Sequence, residues 1–174
     1  APSGSGRVGP SVAAAAARLC KFDMETTTRA ISLAFSMASG SKIQFGTMAK
    51  PLHSGIAAMN GLLAARYAEA GITAASEPLD GIWSFKDLYG GNGEQGFAEG
   101  AKIMGKPTAL ERYGLKVKIH PCCASVHTAV DALVDLMNEH DLQVDEIQSV
   151  ETVVNKISYD NLMFNDPKTC LLYT

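Results

Sequence analysis

The stretch GTMAKPLHSGIAAMNGLLAARYAEAG, residues 46–71, decides how the first half of the chain folds. Leu52, Ile56, Met59 and Leu63 fall at the spacing of one helix face, so the segment reads as an amphipathic helix. Pro51 suits the first turn of that helix, where its missing N–H costs nothing. Small residues Gly55, Ala58, Gly61, Ala65 and Ala68 recur along it and would let neighbouring helices come close, which places it at the centre of a helical bundle. The start of the helix raises a question. Lys50 and His53 crowd a cation and an imidazole onto the end where the helix dipole is already positive.

Upstream, Ser11 is placed to cap an alanine-rich helix running to about Cys20. Asp23 is placed to cap the next one, with Ile31, Ala34, Phe35 and Ala38 as its buried stripe and Gly40 as its stop. Downstream, GITAASEPLDGIWSF reads as a loop leading into a short helix. The glycine-rich YGGNGEQG, residues 89–96, reads as a loop; it lacks the GxxxxGK[ST] pattern of a phosphate cradle.

The character changes near residue 115. In LKVKIH, Leu115, Val117 and Ile119 alternate with Lys116, Lys118 and His120, the period of a strand. A helix striped by Val126, Val130, Leu133, Val134 and Met137 follows, and VDEIQSVETVVNKI supplies a second, β-branched strand. The expected fold class is therefore mixed α and α+β: a mostly helical bundle portion followed by a small strand–helix–strand lid portion. Residues 1–90 would form part of the helical domain and 91–174 part of the α+β domain, the boundary falling between 80 and 115.

Composition narrows the function classes. The chain is 47% hydrophobic and 19% charged with a formal net charge of −3, and no basic stripe marks a nucleic-acid surface. No apolar run has the length of a membrane span, and no basic n-region precedes an apolar core as in a signal peptide. Four irregularly spaced cysteines, two of them adjacent, make neither a disulfide framework nor a metal knuckle, so a reducing, cytoplasmic setting is expected. A Gly/Ser-rich start without Met and an apolar tail, PKTCLLYT, are read as the ends of an internal piece of a longer protein.

Two clusters carry residues able to do chemistry. Lys50 and His53 sit where unpaired backbone N–H groups attract anions, and a bound carboxylate or phosphate would make a lysine there favourable. The alternative is a solvated lysine beside a satisfied histidine. In KVKIHPCC, residues 116–123, Lys116, Lys118 and His120 share a strand face that ends at Pro121 beside two thiols. The alternative there is a solvated edge, its lysines blocking strand pairing, with Cys122 and Cys123 as small buried hydrophobes. His127 and Asp131 lie one helical turn apart and could pair along that helix, although a solvated face is the commoner outcome.

Taken together, FGTMAKPLHSGIAAMNGLLAARYAEAGITA with the following PLDG, and LKVKIHPCCASVHTAVDAL, resemble the MmgE/PrpD family in motif order and separation, over essentially residues 10–168. The family's activities include dehydration of 2-methylcitrate, decarboxylation of cis-aconitate and epimerisation of iminodisuccinate. The resemblance implies an all-helical domain with a smaller α+β lid, a small di- or tricarboxylate held between them, no cofactor or metal, and a homodimer when full length. It implies no nucleic-acid or membrane partner. By motif position Lys50 and Lys118 correspond to active-site lysines, while His53, His120 and Cys123 are expected to bind substrate or support the site. Cys123 stands where some members carry a histidine. An Asp, a Thr and histidines that the family places upstream have no counterpart, and CLLYT stands in place of the family's Phe-Ser-containing helix. The expected activity is that of a hydro-lyase most like a 2-methylcitrate dehydratase, a decarboxylase or epimerase of the same family being the alternative. This piece alone is expected to be inactive. The competing class is a non-catalytic helical module that binds an anion or a partner.

Overall fold

The computed structural model describes residues 5–89, 97–105 and 107–162. The glycine-rich loop expected at 89–96 lies outside them except for Tyr89, as does the CLLYT tail. The chain divides into two compact units, Ala1–Gly114 and Leu115–Thr174.

Three helices build the first unit: α1 (Ser5–Leu19), α2 (Met24–Ser36) and α3 (Ala49–Glu69), each packed on the other two. α2 starts where its sequence says it should. The Asp23 side chain accepts a 2.7 Å hydrogen bond from the Thr26 amide and takes up one of the orphan donors of the first turn. That bond, with a smaller contribution from the Thr26 side chain, holds the Asp23 carboxyl below its ordinary value. α2 ends at Ser36, short of Gly40, whose φ of 107° lies in the left-handed region. α1 begins at Ser5 and runs through Pro10, so Ser11 lies within the helix and is not its cap. Pro51 falls in the first turn of α3 as expected.

The core is made of alanines. Ala13, Ala16, Ala30, Ala34, Ala64, Ala65 and Ala68 form one buried cluster, with Phe22, Leu33 and Met37 against it, and no large side chain is fully buried among the described residues. Of the two stripes read on α3, the small-residue one is inside at Gly61, Ala65 and Ala68, and the apolar one is not. Leu52, Met59 and Leu63 are exposed, Leu52 at 58%. Ala57, Gly61, Ala64, Ala65 and Ala68 face the neighbouring helices. The physical reason is close approach: a Cβ added at Gly61 would stand 2.5 Å from the Gly9 carbonyl oxygen and 2.7 Å from the Val12 Cβ of α1. A leucine face would hold the helix axes farther apart, whereas a small-residue face brings backbones together and gains dispersion contacts. Asn60 of α3 donates a 3.0 Å hydrogen bond to the Met37 carbonyl, satisfying an acceptor just past the end of α2.

After α3 the chain runs irregularly to α4 (Phe85–Tyr89), the loop and short helix expected there. Phe85 and Tyr89 meet the ring of Phe35 edge-on at 5.3 and 5.7 Å, fastening α4 to α2. α5 (Phe97–Lys102) and α6 (Ala109–Tyr113) complete the unit. α6 opens on a capping box in which Thr108 and Glu111 bond reciprocally.

The second unit holds α7 (His127–His140) and α8 (Lys156–Asn161). α7 confirms the helix read from its apolar stripe: Val126, Val130, Leu133 and Met137 are half-buried and Val134 is exposed. The expected strand–helix–strand lid is not formed. Residues 115–120 contain no regular structure, and 144–157 form a 3₁₀ turn, an irregular run and the start of α8. No strand occurs among the described residues. Alternation reports an extended chain, but a strand exists only through ladder bonds to a neighbour, and neither segment has one. Val117 at 89% and Val153 at 97% exposed show the same absence of a covering layer.

Candidate functional site

The start of α3 carries the first candidate pair. Met48 is the N-cap and makes no side-chain capping bond, and the first turn holds no acidic residue. Thr47 does the capping work instead: its hydroxyl accepts from the Ala49 amide at 3.2 Å and donates to the Gln44 carbonyl at 2.8 Å. The Lys50 ammonium lies 4.7 Å from the centre of the Phe45 ring. An ammonium over an aromatic face at an accessible site contributes about 0.5–1 kcal/mol, comparable with the dipole penalty it opposes. Part of the reason for a lysine at this end is therefore local. His53, half-buried on the same turn, has its Nδ1 shielded from water without a hydrogen-bond partner. An unpaired, shielded nitrogen of this kind costs about 1–3 kcal/mol.

The second unit gathers the other candidates around the start of α7. Lys118 donates a 2.8 Å hydrogen bond to the Cys122 carbonyl, and the Cys122 amide returns to the His120 carbonyl at 2.8 Å. The Cys123 carbonyl accepts from the Val126 amide at 3.0 Å, tying the loop to the 3₁₀ turn Ala124–Val126 that leads into α7. His120 then folds back on the helix. Its Nε2 lies 2.6 Å from Asp131 Oδ1, and its ring meets His127 edge-on with centroids 5.1 Å apart and planes at 83°. From α8, Asn161 reaches the Ser125 hydroxyl at 3.5 Å.

This geometry alters the reading of several residues. Lys116, Lys118 and His120 do not share a strand face, because no strand is present. Asp131 does not bond to His127 along the helix; it bonds to His120 across the turn. The Nε2 of His127 is shielded from water and has no hydrogen-bond partner. Cys122 and Cys123 are half-buried free thiols rather than buried ones. Among the described residues, no group of three or more His, Cys, Asp or Glu is arranged to hold a metal ion.

Each candidate thus has a place. Lys50 and His53 belong to the first turn of α3 in the first unit. Lys118, His120 and Cys123 belong to one fastened loop in the second, and Asp131 and His127 join them there. Spacing alone missed Asp131 as the partner of His120, since the two are separated by a chain reversal at Pro121. The available signal was that reversal, which directs the residues before it towards the helix that follows. Chemically, the loop offers a lysine with two further N–H donors beyond the one bound to Cys122, and an imidazole oriented by a carboxylate. The lysine can hold an anionic oxygen, and the free imidazole nitrogen can accept a proton-bearing group.

A family model described as MmgE/PrpD N-terminal domain matches residues 5–98. Two curated cis-aconitate decarboxylases, from Aspergillus terreus and from Aspergillus terreus strain NIH 2624 / FGSC A1156, are each 28% identical over 135 residues. The alignment covers 75% of this chain and 28% of each relative, so the chain spans less than a third of the length of the curated relatives it matches. No helix among the described residues is long and apolar enough to cross a membrane. The family match takes in α1 to α4 with the Lys50–His53 turn, more than half of the sequence, and on it the chain belongs to the MmgE/PrpD family.

Proposed function

We propose that the intact protein carrying this chain is a cofactor-independent lyase acting on a small di- or tricarboxylate, most like a 2-methylcitrate dehydratase. The observation that carries the proposal is the fastened loop in which Lys118 bonds to Cys122 while His120 bonds to Asp131. A cation and an oriented imidazole, two residues apart on one held segment, match what removal of a proton beside a carboxylate demands. That step leaves charge on an enediolate-like oxygen, and fixed cations aimed at the charge lower its energy. Lysines act here as compact point charges. Lys50 and Lys118 are assigned the cationic roles, and His53, His120 and Cys123 bind the acid or support the lysines. The unsatisfied Nδ1 of His53 is in keeping with a polar group arriving at that turn.

Decarboxylation is the second reading, favoured by the similarity to the two cis-aconitate decarboxylases. In that case the same cations stabilise the carbanion left when carbon dioxide departs. The deciding assay uses the intact protein with 2-methylcitrate, citrate, cis-aconitate and iminodisuccinate as separate substrates. Water loss from 2-methylcitrate supports the leading reading, and carbon dioxide release from cis-aconitate supports the second. Turnover of none of the four removes the lyase assignment and leaves a non-catalytic anion-binding module.

A further inference from the structure

We infer that Asp131 is a positioning residue for His120, holding its imidazole as the Nε2–H tautomer and leaving the Nδ1 lone pair to accept from a proton-bearing group of the bound acid, its hydroxyl or the C–H beside its carboxylate. The inference rests on the lyase reading above and adds a residue and an atomic role to that site. The 2.6 Å separation between His120 Nε2 and Asp131 Oδ1 is that of a short, charge-assisted hydrogen bond. An ionised carboxylate only accepts, so the hydrogen in this bond sits on Nε2. A neutral imidazole carries one N–H, and with Nε2 occupied the lone pair lies on Nδ1. The tautomer is thereby set by a residue that need not touch the substrate.

Three further features give the arrangement rigidity. Asp131 stands one turn into α7, on a regular helix rather than a loop. The His127 ring, edge-on at 5.1 Å, limits rotation of the His120 ring from a second direction. The Lys118–Cys122 and Cys122–His120 bonds fix the backbone that carries the imidazole. His127 Nε2 has no hydrogen-bond partner, so it is not a competitor for the Asp131 carboxylate. Supporting groups of this kind hold a functional imidazole in one orientation, and their loss typically lowers activity about tenfold to a hundredfold where they support a metal ligand, a fair guide to scale here.

The test uses the intact protein labelled with nitrogen-15 in its histidines, the His120 signals being assigned with His120→Gln. The wild type is expected to show the Nε2–H tautomer at His120. In Asp131→Asn the amide can donate to Nε2, so the Nδ1–H form should appear; kcat on the acid turned over should fall about tenfold to a hundredfold with KM little changed. Asp131→Glu, which retains a carboxylate, should recover part of both readouts. Asp135→Asn, one turn farther along α7, should change neither. An unchanged tautomer in Asp131→Asn overturns the inference, as does an unchanged kcat where the wild type is active. Should Asp131→Asn fail to fold, Asp131→Ala at this exposed helix position decides: wild-type kcat and tautomer without the carboxylate overturn the inference. If the wild type turns over none of the acids, the lyase reading fails, and the tautomer comparison alone then sustains or overturns the role of Asp131.

Discussion

Replacing Gly61 by alanine, beside the same replacement at Gly55, tests the alanine-lined packing of α3. Both glycines lie in one helix, so each gains roughly 0.5–1 kcal/mol of backbone entropy and helix propensity on becoming alanine. Their surroundings differ. A Cβ at Gly55 meets nothing within 4 Å, whereas at Gly61 it meets the Gly9 carbonyl oxygen at 2.5 Å and the Val12 Cβ at 2.7 Å. Ordinary contact begins near 3.4 Å, so α1 must retreat by about 1 Å. Neither obstacle can turn away, because one is backbone and the other is fixed to it. Retreat also loosens the packing of Ala13 and Ala16 against Ala64, Ala65 and Ala68. Overpacking of this sort costs about 1–3 kcal/mol. The propensity gain is common to both variants and cancels in their difference, so Gly61→Ala should be less stable than Gly55→Ala by about 1–3 kcal/mol. For a chain of this size that separates the melting temperatures by about 2–12 °C. Thermal unfolding of the two variants and the wild type, followed by circular dichroism, gives the answer. Equal stabilisation by both alanines would refute the α1–α3 contact described here.

Further outcomes follow from single contacts. Lys50→Ala in the intact protein should lower turnover about a hundredfold or more through loss of a fixed cation, while loss of its contact with Phe45 costs only about 0.5–1 kcal/mol of stability. A large fall in melting temperature with an intact rate would reassign Lys50 to structure. Asp23 has its folded-state pKa lowered by the Thr26 hydrogen bonds, so its contribution is present above the unfolded value, near pH 4, and is lost as pH falls through the folded value. Melting curves of the wild type should therefore drop more steeply between pH 6 and pH 2 (roughly) than those of Asp23→Asn, which keeps a capping oxygen that does not titrate. Parallel pH dependences would show that ionisation of Asp23 adds nothing to the cap of α2. Glu111, held down by the Thr108 amide and hydroxyl, should act with the same sign at the start of α6.

Much of the local structure is legible in one dimension. Asp23 before a periodic run marks the start of α2, Pro51 marks the first turn of α3, and the stripe from Val126 to Met137 marks α7. Each is an interaction between residues within a turn or two, and spacing records such interactions directly. The MmgE/PrpD motifs were equally readable, because they are contiguous strings.

Tertiary structure decided what depends on distant neighbours. Hydrophobic periodicity counts apolar residues but does not say how near another helix can come. Leu52, Met59 and Leu63 therefore looked as fit for burial as the small residues, and packing against α1 and α2 chose Gly61 and the alanines. Alternation in LKVKIH shows which side chains would share a face, yet a strand needs a partner that the segment itself cannot supply. Asp131 has a histidine one helical turn away and another beyond a chain reversal, and only the folded loop selects His120. Sequence by itself determined α2, α3, α7 and the two family motifs; the three-dimensional chain decided where α1 begins, that a helix starts at Lys156 where a strand was expected, which faces close and which carboxylate orients which imidazole. The former arise from bonds along the backbone, the latter from how closely separate segments approach.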